Sequence, residues 1–386
     1  EKIEKLESYD ITDESKYNEL SIAIDKFMRN LSLDERLRIE NEMNNRMKEY
    51  YEREKRNFEK TEIVKIDIKN FEISAKGEVP GYLLNQFSMD EYKGNLRVAT
   101  TIGERGFYLG YFRIPRERSS NDVYVLNENL KIIGEIKDLG IQERIYSVRF
   151  IEDRGYVVTF REKDPFYVLD LSNPEKPELK GELKIPGYSS YLHQIDENRI
   201  LGIGKENWNV KISIFDVSDA KNPKELDKFI LDETWSDILN THHAFLLDKK
   251  HEIFFLPGGK NGYIFSYKDD NLKLLKAISE ISAKRAIYID DYLYVISNNK
   301  IVVVNENDWE IVNKLEMQTK NLEKSCKIDS DCSCGVHIKT GECFYGNKNF
   351  VDSSKQCPDF CTGIAGNFEI KCIEGECKQI YKERSY

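Results

Sequence analysis

Between residues 145 and 187, short apolar runs alternate with turn residues. Residues 145–151 read Ile-Tyr-Ser-Val-Arg-Phe-Ile, the chain turns at 152–155, and residues 156–160 return as Tyr-Val-Val-Thr-Phe. A turn at 162–165 leads into Phe-Tyr-Val-Leu-Asp at 166–170, and a proline-bounded turn at 171–177 precedes a last run at 179–185. Runs rich in β-branched and aromatic residues, bounded by Gly, Pro, Asn and Asp, predict four strands in an antiparallel meander. One such meander cannot bury both of its faces, so it is expected to be one unit of a repeat.

The pattern recurs. Residues 191–195, 199–203 and 210–216 repeat the first three runs, and the turn 217–223 ends in proline as 171–177 does. Two more copies start at 243–248 and 285–290, and one precedes at 86–90, 95–100 and 122–126. Acidic turns at Glu152, Asp196, Asp248 and Asp290 are spaced as propeller blades are, roughly 40–50 residues apart. The expected fold is mainly β, a β-propeller of four-stranded antiparallel blades near 82–140, 141–187, 188–233, 241–280 and 283–318. Residues 61–67 and 71–77, closing at 79–81, match only the third and fourth strands of a blade. The propeller region 61–320 is thus expected to hold five full blades and a half-blade.

Before it, the period changes. Leu20, Ile24, Phe27, Met28 and Leu31 recur at helical spacing behind cap chemistry at 12–15. Ser32 and Glu35 form a capping-box pattern opening a second helix to about Asn57. Its apolar stripe is narrow and its other face is charged. Residues 1–60 are therefore expected to be a helical arm inserted into a blade, packed on the propeller's outside. A docking arm for a partner chain is the alternative.

Residues 81–92, 96–101, 144–150 and 154–160, with Asp164-Pro165, 181–187, 191–193 and 242–245, resemble secreted archaeal proteins with a C-terminal β-propeller domain distantly related to WD40 repeats. The resemblance covers about residues 61–315. It implies an exported propeller, and further propeller sequence upstream in related proteins. The tail resembles cysteine-rich modules of archaeal surface proteins.

The formal charge of −10 and the lack of a basic stripe argue against nucleic acid as a partner. No apolar run approaches the ~20 residues that span a bilayer, and the chain opens without a signal peptide, so an exported protein of this sequence is expected to be a mature form or a fragment. Abundant Lys and Glu suit a heat-adapted surface. All eight cysteines lie in the tail, at Cys326, Cys332, Cys334, Cys343, Cys357, Cys361, Cys372 and Cys377. An even count in a segment of this size predicts a disulfide module over 321–386 and an extracellular or cell-surface location. Zinc is not expected, because paired C-x2-C knuckles are missing. Cys332 and Cys334 are too close to bond each other and should take different partners. Residues 372–377 read as a hairpin turning at 374–375.

Histidine is scarce. Aligning the blades on their acidic turns puts Tyr191, His243 and Arg285 at one level of the innermost strands, with Arg149 and His193 two residues on. Period-2 alternation keeps these side chains on one face, which in a propeller lines the axial channel. With His242 they form a candidate binding ring for an anion, a metal or a peptide terminus. The plainer alternative is that they bond one another and water. His251 is expected to be solvated in its turn. There is no Gly-x-Ser-x-Gly, His-Glu-x-x-His or P-loop, and residues 256–262 sit between two strands, so they read as a hairpin turn.

The sequence therefore predicts an exported binding or scaffold protein without catalytic residues, resident metal or cofactor. Its expected partners are proteins, including a missing N-terminal propeller segment. Two alternatives differ in class: an enzyme or metal- or anion-binding protein using the axial histidines and arginines, and an inhibitor-like disulfide knot displayed on an inert propeller.

Overall fold

A computed structural model describes residues 5–6, 8–103, 108–109, 112–113, 119–161, 164–317 and 322–382. The turn expected at 162–165 and the boundary expected at 320/321 fall partly or wholly outside these residues. The chain divides into two compact units, Glu1–Tyr288 and Ile289–Tyr386.

Helix α1 (Asp13–Arg29) begins where Thr12 Oγ1 accepts from the Ser15 amide at 3.3 Å. Helix α2 (Leu33–Phe58) begins at the capping box: Ser32 Oγ accepts from the Glu35 amide at 3.3 Å, and Glu35 Oε2 accepts from the Ser32 amide at 3.1 Å. No residue of α1 is buried, whereas α2 buries Tyr51 and Lys55. The last turns of α2 are joined to the β-structure. Arg56 grips the buried Asp122 through Nε at 2.7 Å and a second nitrogen at 3.0 Å, and reaches Asp138 at 2.8 Å. Tyr51 donates to Glu59 at 2.6 Å, and the other Glu59 oxygen accepts from the Gly103 amide at 2.8 Å. The arm is riveted at its C-terminal end to the first blade's third strand, Ser120–Leu126.

Five four-stranded antiparallel sheets follow a two-stranded one, Lys60–Asp67 with Glu72–Pro80. The first blade is Met89–Tyr92, Asn95–Ile102, Ser120–Leu126 and Ile132–Leu139. The second is Arg144–Ile151, Arg154–Phe160, Asp164–Asp170 and Glu178–Ile185. The third is Tyr188–Gln194, Arg199–Glu206, Asn209–Asp216 and Lys224–Leu231. The fourth is Leu246–Asp248, Ile253–Gly258, Asn261–Ser266 and Lys273–Ile278, in which the predicted hairpin turn pairs Gly258 with Asn261. The fifth sheet is Arg285–Ile289, Tyr292–Ile296, Lys300–Asn305 and Ile311–Glu316, and the unit boundary falls within its first strand.

The core lies between successive sheets, because each meander buries both faces only against its neighbours. Val123, Val148, Val157 and Leu169 join blades one and two. Tyr156, Phe166, Leu192 and Phe215 join two and three, with Phe166 stacked on Phe215 at 4.7 Å. Leu201, Ile212, Phe254 and Phe265 join three and four. Two innermost runs differ from expectation. Residues 86–88 form a 3-10 turn before Met89–Tyr92, and His242–Ala244 form another before the three-residue strand Leu246–Asp248. The side chain of Asn85 accepts from the Phe87 amide at 2.9 Å, a local bond that competes with strand pairing.

In the second unit all eight cysteines are bonded: Cys326–Cys372, Cys332–Cys377, Cys334–Cys361 and Cys343–Cys357. Cys332 and Cys334 take different partners, as two residues on one strand must. Three of these sulfurs, on Cys326, Cys332 and Cys377, lie close together. Each is already consumed in a disulfide and is no thiolate ligand. Phe368–Ile373 and Glu376–Tyr381 pair through a turn with positive φ at Glu374 and Gly375. The bonds suit an extracellular location. Among the described residues, no helix is long and apolar enough to cross a membrane.

Candidate functional site

The predicted ring is largely assembled, with additions. Tyr191 and His193 alternate on the strand Tyr188–Gln194 and therefore share a face; Tyr191 Oη lies 2.9 Å from His193 Nδ1. Arg149 arrives from the second blade, donating Nε to the Leu192 carbonyl at 3.0 Å. Its guanidinium carbon lies 4.3 Å from the centre of the Phe87 ring and 5.7 Å from that of Tyr191. His242 meets Phe87 edge-on at 5.1 Å and His243 at 3.9 Å. Phe245 lies 4.7 Å from His193. Blades one to four thus each contribute at least one side chain.

The cluster opens into a cavity of about 630 Å³ lined by Tyr191, His193, His242 and His243, with Lys249 and Tyr288 among its other walls. Neither predicted arginine lines the cavity: Arg149 packs behind Tyr191, and Arg285 is exposed, with Tyr288 lining the cavity from its strand. Phe87 is the residue that sequence reading missed. It sits in a 3-10 turn at residues expected to be strand, in the one blade that the alignment on acidic turns did not include.

Burial pushes His193 down from its ordinary 6.5 to about 4, helped by the positive charges of Arg149 and Lys249. His242 is also lowered, by burial and then by His243 and Arg149. Burial raises Tyr191, so its hydroxyl stays protonated, and the same cause lowers Arg149. At neutral pH the His193 and His242 imidazoles are therefore uncharged beside the Tyr191 phenol, and the Arg149 guanidinium next to them supplies positive charge. Asp248, at the cavity edge, is buried and engaged, accepting from the Lys250 amide at 2.8 Å and meeting His251 Nδ1 at 2.5 Å. His251 is accordingly half-buried, not solvated, because its turn folds it back on that carboxylate.

A pH prediction follows. With His193 depressed in the folded state, the unfolded chain binds more protons between about 4 and 6.5, so stability rises with pH there and is lost as pH falls through that window. His193→Asn keeps a hydrogen-bonding group beside Tyr191 and should cost about 1 kcal/mol or less at pH 7. It should also flatten the acid limb of the melting-temperature profile. An unchanged acid limb would show that His193 is not depressed.

The fold and the site define a repeat β-protein whose innermost strands converge on a polar and aromatic cluster. The sequence profile of the Beta propeller domain family matches residues 14–309, and the chain belongs to that family. The match takes in both helices, which the resemblance over 61–315 left outside. An uncharacterized protein of Archaeoglobus fulgidus is 52% identical over 318 residues, covering 82% of this chain and 49% of that protein. An uncharacterized protein of Methanocaldococcus jannaschii is 41% identical over 315 residues, covering 81% and 49%. The chain thus spans about half the length of these curated relatives. Among solved structures, apo AztD from Citrobacter koseri aligns with TM-score 0.41 at 12% identity, over 60% of this chain and 59% of that one.

Proposed function

We propose that the chain is an extracellular or cell-surface binding protein that recognises a carboxylate-bearing ligand, of which a peptide C-terminus is the simplest, at the four-blade cluster. The observation that carries this reading is the cavity walled by Tyr191, His193 and Lys249, with the Arg149 guanidinium packed behind that wall, 4.3 Å from the Phe87 ring centre and 5.7 Å from that of Tyr191. In the tautomer in which Tyr191 donates to His193 Nδ1, the Nε2–H is left as a donor for the ligand, and the guanidinium supplies charge. The protein acts by binding and not by turnover. The cluster offers no serine or cysteine nucleophile beside a base, the arrangement that covalent hydrolysis requires. A metal held by His193, His242 and His243 is not favoured either, because among the described residues none of the three belongs to a group of three close ligand atoms. The protein also has a polypeptide partner that includes propeller sequence outside this chain.

Calorimetry with a short acidic peptide bearing a free C-terminus tests the ligand class, with its C-terminally amidated form as the comparison. The free acid is expected to bind, the amide to bind at least tenfold more weakly, and Arg149→Met to lose as much. Equal binding of acid and amide, or no binding of either, would overturn the reading.

A further inference from the structure

The hairpin before the first blade carries the marks of an incomplete one. In the outer strand of blade one, Gly134 pairs with Val125, and a Cβ on it would lie 2.2 Å from the Pro174 carbonyl oxygen of the next blade. In blade two, Gly181 pairs with Val168, and its Cβ would lie 2.2 Å from the Ala220 carbonyl oxygen. The hairpin repeats this. Gly77 pairs with Ile63, and its Cβ would lie 2.3 Å from the Leu130 carbonyl oxygen of blade one. In each case a glycine of the outer strand lets it close on the turn between the third and fourth strands of the following blade. By this register Lys60–Asp67 is a third strand and Glu72–Pro80 a fourth.

Its burial departs from that of a third strand. Val64 corresponds to Leu126 and Leu169, which are 0% exposed, yet Val64 is 41% exposed. Lys60–Asp67 pairs with Glu72–Pro80 on one side and, among the described residues, with no strand on the other. A cavity of about 200 Å³ beside it is lined by Ile63, Val64, Met89, Leu96 and Leu130. In the complete blades the second strand lies against the third and is buried throughout its middle, as Val157, Val158, Ile200 and Leu201 show.

We propose that propeller sequence outside residues 1–386 supplies the two inner strands of this blade, pairing antiparallel along the free edge of Lys60–Asp67. The pairing strand must be an uninterrupted apolar, β-branched run, because it takes the place of strands buried on both faces, and its side chains fill the cavity at Leu96 and Leu130. Main-chain bonds give the affinity and the apolar pockets the register. An open edge of this kind otherwise invites nonspecific pairing. The source is sequence of the kind that the relatives carry outside the half this chain matches. The proposal specifies the polypeptide partner named under the proposed function and is independent of the ligand cluster.

The test uses the part of the Archaeoglobus fulgidus relative outside the matched 318 residues, produced as a separate chain. Mixed with this protein, it should form a one-to-one complex by sedimentation, with hydrogen exchange slowed at the amides of Lys60–Asp67. Val64→Lys should weaken the complex at least tenfold, and Ile22→Lys on α1 should not. No complex, or a complex in which those amides exchange as in the free chain, would overturn the proposal. Concentration-dependent protection of the same amides in this chain alone would overturn it in favour of a second copy. Acidic-peptide binding is measured on the same samples, so loss of one interaction is read separately from loss of the other.

Discussion

Arg56→Ala is expected to cost about 3 kcal/mol, because it leaves the Asp122 carboxylate buried without its counter-ion. Asp122 has no exposed surface, and Arg56 binds both of its oxygens. The remaining partners, Tyr124 Oη at 2.6 Å and the Asp138 amide at 2.9 Å, are neutral donors that cannot offset a full charge. Burial also raises the Tyr124 hydroxyl, with the Asp122 charge adding to it, so that group offers no positive charge. In melting temperature the loss corresponds to roughly 5 °C for a unit of this size. Adding Asp122→Asn to the Arg56→Ala chain should recover part of it, since the neutral amide no longer needs the charge. A single-variant loss under about 1 kcal/mol would mean that water replaces the guanidinium and that the helical arm is only loosely attached.

Reduction of the four disulfides should unfold the tail module. Residues 326–377 enclose loops with sequence separations of 46, 45, 27 and 14, and removing a native bridge from a small secreted domain costs about 2–5 kcal/mol. A core of this size cannot absorb four such losses. Limited proteolysis after reduction should cut within 326–377, while the strands of 120–278 stay protected. Intact mass should rise by about eight protons on reduction, one per cysteine. A reduced tail that resists protease as the oxidised one does would show that its apolar contacts suffice alone.

The strands were legible because their signal is local. Residues 145–185 carry alternation and turn chemistry within each meander, and the repeat interval turns four strands into a blade. The capping box at Ser32 and Glu35 and the turn at Glu374 and Gly375 were legible for the same reason. Non-local pairings were not. Nothing at Arg56 in a charged helix points to Asp122, 66 residues on. Disulfide partners likewise depend on the folded path. The cluster was partly legible, since Tyr191 and His193 share a strand face by simple alternation. Phe87 was hidden in the blade that the alignment did not include, and His251 by the fold of its own loop. Arg285 matched its level in the alignment, yet the cavity takes Tyr288 from that strand.

The most direct test of the ligand cluster is the titration of the His193 ring by nuclear magnetic resonance, with and without saturating acetate as the carboxylate probe. The free protein should titrate near the depressed value of about 4. A carboxylate bound beside His193 favours the imidazolium, so acetate should move the midpoint up by a unit or more, and Arg149→Met should abolish the shift. A midpoint already near 6.5 in the free protein, or one that acetate leaves unmoved, would contradict the account and leave the cluster as internal packing between blades.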